Sequence, residues 1–343
     1  MVPPMRARVV ALCVAVIGAL TVVGQPSAST RLAVTGFQTE GSPTWLIDQD
    51  AAALSTVSVA GVHLTRRGTV STVDPAALAQ LAVAHRDGLP AELLVSNWSS
   101  RIDNFSERVA FATLRRPTAI ARAAAALAGE VRADGWNGVT VDIESLAPRD
   151  SAGLVAFLAA LHATLPTGAT ISVTVSNSTG EAGFAANGYD LAGLGANANR
   201  VILMAYDEHG PWEHTPGPIG ALAWQLAGLN VLLGYLPAGK VDLGVAAYGY
   251  GWRRHKTFAL SDAQARDLAA GANARARYIA PVGEWTAKLH DGSTIWRSDA
   301  RSLAARAQLA RSLHLHGLAI WSLGQSDPIA MQPAHDIRGR GPG

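Results

Sequence analysis

The chain repeats one unit: a short run of β-branched and apolar residues followed by an alanine- and leucine-rich stretch of helical spacing. The β-type runs are "LAVTGF" (32–37), "SVAGVHL" (58–64), "AELLVS" (91–96), "GVTVDIE" (138–144), "TISVTVS" (170–176), "RVILMAY" (200–206), "VDLGVAAY" (241–248) and "GLAIWSL" (317–323). Helices read clearly at 74–88, 116–135, 149–165 and 298–317, with Asp or Pro near their starts and Gly near several ends. A strand that feeds a helix and returns to a parallel neighbour, eight times over, predicts an α/β protein closed as a (β/α)8, or TIM, barrel. The stretch before the last helix is too long for a plain connection. It predicts a small α+β insertion at about 253–297, between strand 7 and helix 7, in which "RYIAPVGEWTAKLHDGSTIW" (277–296) forms two short strands turning at Asp291 and Gly292.

Residues 1–29 stand outside this repeat. Arg6 and Arg8 precede an apolar run from Val9 to Val23, and small residues follow at Ser27, Ala28 and Ser29, which is the pattern of a secretory signal peptide. The run falls short of the roughly 20 residues that cross a bilayer. Cys13, the only cysteine, lies inside the signal and follows Leu12, where a lipid-attachment site wants a small residue, so no lipid anchor is expected. A secreted chain without disulfides is held by its core, and a composition 49% apolar supplies one. Losing Arg6 and Arg8 takes the formal charge from +2 to neutral, which argues against a nucleic-acid partner or a polybasic membrane patch. The catalytic barrel is expected to span 30–338 as a monomer, with a frayed tail at 339–343 and no appended binding module.

Side chains of a barrel strand alternate between the interior and the helices. In "GVTVDIE", Val139, Val141 and Ile143 therefore face the helices while Thr140, Asp142 and Glu144 face inward. Barrel interiors are normally filled with branched apolar residues, and active sites lie at the carboxyl ends of the strands. Inward acids at that end are costly unless they do chemistry. Each carboxylate raises the proton affinity of the other, and enclosure adds to the effect, so Glu144 is expected to hold a proton near neutral pH and act as a general acid.

These residues carry a resemblance. "NGVTVDIE" resembles the fourth-strand Asp-x-x-Asp-x-Asp-x-Glu motif of glycoside hydrolase family 18, with Asn137 and Thr140 at the first two acidic positions and Asp142 and Glu144 at the last two. "LMAYDEHGP" (203–211) is similar to its sixth-strand Met-x-Tyr-Asp through Met204, Tyr206 and Asp207. "LGVAAYGYGW" (243–252) resembles the seventh-strand segment, and "GLAIWSLGQSDP" (317–328) the eighth, with Trp321 at the place of the sugar-stacking tryptophan. Within the family, the pattern looks nearest the bacterial branch of spore-cortex-lytic enzymes and related N-acetylglucosaminidases.

The resemblance implies a secreted glycosidase acting on an N-acetylglucosamine-containing polysaccharide without cofactor or metal. Glu144 would protonate the glycosidic oxygen, Asp142 would orient the substrate acetamide and Tyr206 would donate to its carbonyl. Asp207 and Asn137 would contact sugar hydroxyls or support the strand, and Met204 would line the site. Thr140 stands where the family places an Asp that bonds the middle carboxylate, so Asp142 is expected to titrate differently here. Trp98, Trp212 and Trp252 follow strands on the catalytic face and are candidates for sugar stacking. The competing reading is a catalytically silent, lectin-like member, which usually lacks the terminal Glu of the motif.

Weaker signals are read as structural. His209 and His214 with Glu208 and Glu213 lack the third element of a metal site and are taken as polar loop residues. "YGYGW" (248–252) lacks the Lys-Ser/Thr of a phosphate loop and is taken as a tight exit from the barrel. "NWS" (97–99), "NFS" (104–106) and "NST" (177–179) fit the glycosylation pattern, which arises often by chance.

Overall fold

The computed structural model of the protein describes residues 31–254 and 256–329, so the signal segment, Cys13 and the tail at 339–343 lie outside the described residues. Fifteen strands follow in order: β1 (Ala33–Gln38), β2 (Thr56–His63), β3 (Ala91–Ser96), β4 (Trp98–Ser99), β5 (Asn104–Phe105), β6 (Gly138–Asp142), β7 (Thr170–Ser176), β8 (Arg200–Met204), β9 (Val241–Ala246), β10 (Tyr248–Arg253), β11 (Lys256–Ser261), β12 (Arg277–Ile279), β13 (Glu284–Lys288), β14 (Thr294–Arg297) and β15 (Gly317–Trp321). Eight of them, β1-β2-β3-β6-β7-β8-β9-β15, close into a parallel barrel in chain order. The (β/α)8 architecture is therefore the one the sequence predicts.

Helices Pro75–Arg86, Pro117–Asp134, Ser151–Thr164 and Ala300–Ser312 cover the barrel. Their ends follow local chemistry. The Asp74 carboxylate accepts from Ala76 N, Asp299 caps the last helix, and Gly135 ends the second with φ at 85°, where a side chain would be strained. Val57, Val59, Leu93, Val95, Val139 and Val141 are buried between barrel and helices. Inside the barrel the only apolar cluster of buried residues among those described is Phe37, Leu94, Ile202 and Ala319. Amino-terminal to that layer the strands carry Glu92 and Asp242, and carboxyl-terminal to it they carry Asp142, Met204 and Trp321.

The insertion is larger than the sequence suggests. It is a five-stranded antiparallel sheet, ordered β11-β10-β14-β13-β12, with helix Asp262–Gly271 against it and a core of Leu260, Ala265, Ala269, Ala287, Leu289 and Ile295. The turn at Asp291 and Gly292 joins β13 to β14 as expected, but "YGYGW" is strand β10 rather than a loop exit. Its glycines fall where a Cβ would run into the Trp296 carbonyl (at Gly249) or the Phe258 ring (at Gly251). A buried pair ties this sheet to the barrel. Arg306 donates to Glu284 (2.9 Å) and to the carbonyls of Gly220 (2.5 Å) and Gly283 (2.6 Å), while Glu284 accepts from Ile219 N and Gly220 N. A buried ion pair with its donors and acceptors filled holds one geometry, and here it fixes the segment after β8. No helix of the described residues is long and apolar enough to cross a membrane.

Candidate active site

The alternation along β6 has the predicted sense. Thr140 points inward, where Ser58 Oγ donates to its hydroxyl (2.8 Å) and it donates to Glu92 Oε2 (2.7 Å). Thr170 supplies the other Glu92 oxygen (2.6 Å). Thr140 is thus committed to a carboxylate below it, not to Asp142. Asp142 accepts instead from Thr174 on β7 (2.6 Å). Burial pushes Asp142 from its usual 3.8 up to about 6, with the Thr174 bond pulling the other way.

Past the strand end, Asn97 fixes the chain at Glu144: its side chain accepts from Glu144 N (2.9 Å) and donates to Glu144 O (2.8 Å). Ser145 then turns the backbone with φ at 56°. Among the described residues no donor reaches the Glu144 carboxyl, which lines the cleft. Burial, then the charges of Asp142 and Asp207, hold it well above the usual 4.5, so it keeps its proton to higher pH than a free carboxyl.

Asp207 follows β8 with φ at 62° and accepts from Tyr248 (2.5 Å) and Tyr250 (3.0 Å), both on β10 of the insertion. Burial raises its proton affinity and these two hydroxyls lower it. Tyr206 lies edge-on to Tyr248, with ring centroids 6.4 Å apart. Its phenol is raised well above 10, first by burial and then by the surrounding carboxylates, so it stays protonated as a donor. Trp321 packs on Phe37 (5.4 Å), and the Trp321–Ser322 peptide is cis. Asp142, Glu144, Met204, Tyr206, Asp207 and Trp321 share one cleft of about 440 Å³ at the carboxyl end of the barrel.

The remaining aromatic candidates separate. Trp212 lines the cleft and is 61% exposed. Trp98 does not line it; it packs edge-on against Phe105 (5.2 Å), and Phe105 is the ring that reaches the cleft. Trp252 is 3% exposed, buried against Tyr250 in a cluster with Ile219 and Tyr248, because β10 is a strand and its alternate side chains face inward. The sugar contact expected of Trp252 is therefore withdrawn. So is that of Asn137, which sits at the opposite end of the barrel, where its Oδ1 accepts from Ala91 N (2.8 Å) and lies 2.9 Å from His85 Nε2. The bond from Ala91 joins the residue before β6 to the first residue of β3.

Trp224 and Phe105 line the cleft without having been singled out by spacing. Trp224 belongs to helix Leu222–Leu233, whose uniform apolarity hides any one face. Around the "DEHGPWEH" segment, Glu208 accepts from Ala221 N (2.7 Å) and His209 Nδ1 faces the Pro218 carbonyl (3.1 Å). Among the described residues no group of three or more His, Cys, Asp or Glu is placed to hold a metal ion.

A parallel barrel whose carboxyl end gathers buried carboxylates of raised proton affinity with aromatic side chains is the arrangement of a barrel glycosidase. The model of glycosyl hydrolases family 18 matches residues 35–326, and the chain belongs to that family. A solved chitinase from Chromobacterium violaceum ATCC 12472 superposes with a TM-score of 0.81 at 28% identity, over 90% of this chain and 100% of that one. The uncharacterized glycosylase YvbX of Bacillus subtilis (strain 168) is 24% identical over 255 residues, 71% of this chain and 74% of the relative. The cortical fragment-lytic enzyme of the same organism is 30% identical over 154 residues, 41% of this chain and 35% of its own length.

Proposed function

We propose that the protein is a secreted, monomeric, retaining glycosidase that cleaves β-1,4 bonds next to N-acetylglucosamine in peptidoglycan glycan or chitin-like polymers. The observation that carries this reading is the convergence of Glu144, Asp142, Tyr206 and Trp321 in one cleft. Family 18 hydrolases are a substrate-assisted exception to the two-carboxylate scheme, so no protein nucleophile is required.

Glu144 gives its proton to the glycosidic oxygen as the bond to the anomeric carbon breaks. The carbonyl oxygen of the substrate's own 2-acetamido group bonds to that carbon from the other face, forming an oxazolinium ion. Asp142 orients the acetamide N–H and offsets its developing positive charge, while the Tyr206 hydroxyl donates to the acetamide oxygen. Water then attacks the anomeric carbon, Glu144 takes its proton, and the acetamide is restored with net retention. Trp321 forms the floor beneath the sugar, with Trp212 at the rim. The names of a chitinase and a cortical fragment-lytic enzyme among its relatives support both polymer classes. The signal pattern of residues 1–29 supports an extracellular site of action.

The test is mass-spectrometric product analysis of the chain and its Glu144→Gln variant on muropeptide glycan strands and chitin oligomers side by side. Turnover should fall by about 10²–10⁴ in the variant while binding persists, the range for loss of a general acid. Binding without cleavage by the unaltered chain would establish the lectin-like reading instead.

A further inference from the structure

Beyond Phe105 the surface changes character. Arg66 in the turn after β2, Arg101 in the β4–β5 turn and Arg108 in the first turn of helix Glu107–Leu114 line a single pocket of about 540 Å³. Among the described residues, none of these three side chains makes a hydrogen bond or ion pair. The one acid on that rim, Glu107, is taken by Arg149, whose guanidinium also lies 4.8 Å from the Phe111 ring. Ile102, 51% exposed, gives the same pocket an apolar patch. Phe105 lines both this pocket and the catalytic cleft, so the two are adjacent along one path.

Three like charges in one concavity repel, and with the one lining carboxylate, Glu107, paired to Arg149, the arrangement suits an anion supplied from outside. A neutral chitin chain offers none. We propose that Arg66, Arg101 and Arg108 form an anion-receiving subsite that extends the cleft and takes the carboxylates of a glycan whose sugars carry acidic substituents, as the lactyl ethers and stem peptides of peptidoglycan do. This rests on the glycosidase reading of the cleft and narrows its substrate. Guanidinium groups pair carboxylates in a bidentate fashion, and Ile102 meets the apolar part of the substituent.

The experiment uses the full chain with Glu144→Gln, with and without R66Q/R101Q/R108Q, and isothermal titration. The probes are glycan strands freed of wall phosphate polymers, the same strands with their carboxyls amidated, a chitin hexamer, and poly(glycerol phosphate). Free-carboxyl strands should bind about fivefold more tightly than amidated ones, a modest factor because exposed ion pairs are screened. That preference should shrink with salt and vanish in the triple variant, while chitin affinity moves less than twofold. Arg101→Gln alone should remove part of it.

Equal affinity for free and amidated strands, or a preference that survives the triple variant, overturns the proposal. So does poly(glycerol phosphate) binding through the arginines where carboxylated strands show no preference. Retained chitin binding without a carboxylate preference removes this proposal alone. Absence of binding to every glycan, with no cleavage by the unaltered chain, removes the glycosidase reading beneath it.

Discussion

At the amino-terminal end of the barrel Glu92 has a hydroxyl on each oxygen, Thr140 on one and Thr170 on the other, and Asp242 lies 2.7 Å from His316 Nδ1. At the carboxyl-terminal end Asp142 has one hydroxyl donor and the Glu144 carboxyl has none among the described residues. Both ends bury acids in one protein interior. They differ in donors: a carboxylate whose oxygens are filled holds strands together, while one left short of donors is held ready to exchange a proton. Thr140 marks the boundary. By turning to Glu92 it joins the lower network and leaves Asp142 with Thr174 as its one donor.

The contrast is broken most strongly by removing one acid from each end. Asp142→Asn should lower kcat by about 10²–10³ in steady-state assays on the cleaved polymer, the scale for losing a group that stabilises transition-state charge. Glu92→Gln should keep turnover per folded molecule within about twofold and lose about 1–3 kcal/mol in urea unfolding, because one of the two threonine hydroxyls then faces an amide NH2 in place of an acceptor. Equal loss of turnover in the two variants would erase the distinction. A parallel pair tests the tryptophans: Trp252→Ala should cost about 3–5 kcal/mol of stability as a buried aromatic lost from a core. Trp212→Ala should leave the unfolding midpoint in place and raise KM by about 3–10-fold, one exposed aromatic contact.

The same difference has a pH signature. Asp142 binds its proton more tightly in the folded chain, with 3.8 raised to about 6, so the folded state carries the extra proton between those values. Its contribution to stability is therefore complete below about 3.8 and lost as pH rises through about 6. Asp142→Asn should match the unaltered chain near pH 4 and be more stable above pH 6, by up to about 3 kcal/mol. Thermal melts from pH 4 to 8 measure it, and a gap that stays constant across that range would contradict the assigned burial.

Much of this was legible in the sequence because barrel strands obey a period of two. β3 and β7 fall on the residues their β-branched runs mark, and the parity of "GVTVDIE" puts Asp142 and Glu144 inside. The same parity explains Asn137: it lies three positions before Thr140, an odd step, so it cannot join the inward row, and it enters the strand from the far end. Other features depend on tertiary neighbours. β10 alternates aromatic with glycine, which reads as a loop until the Trp296 carbonyl and the Phe258 ring show why no side chain fits. Asn97 looks like a glycosylation triplet, and only the fold brings it to Glu144. Glu92 sits in an otherwise ordinary strand, and its two threonines come from β6 and β7.

The smallest expected effect lies where the insertion touches the chemistry. Asp207 is pressed toward its protonated form by burial and held back by the hydroxyls of Tyr248 and Tyr250. Its charge in turn helps keep Glu144 protonated, since Asp207 is among the groups that raise Glu144. Tyr250→Phe removes the longer of the two bonds (3.0 Å) and leaves Tyr248 at 2.5 Å, so Asp207 should take up a proton at higher pH than before. Once Asp207 is neutral, one of the charges holding the proton on Glu144 is gone. The alkaline limb of the kcat/KM profile, where Glu144 loses its proton, should therefore move to lower pH by up to about one unit, and Tyr248→Phe should move it further because the shorter bond is lost. Both substitutions keep the ring and its packing, so the unfolding midpoint serves as the control. If the limb stays put while Asp142→Asn shifts it, Asp207 belongs with Glu92 among the carboxylates that hold the structure, and the line between the two groups runs between Asp142 and Asp207.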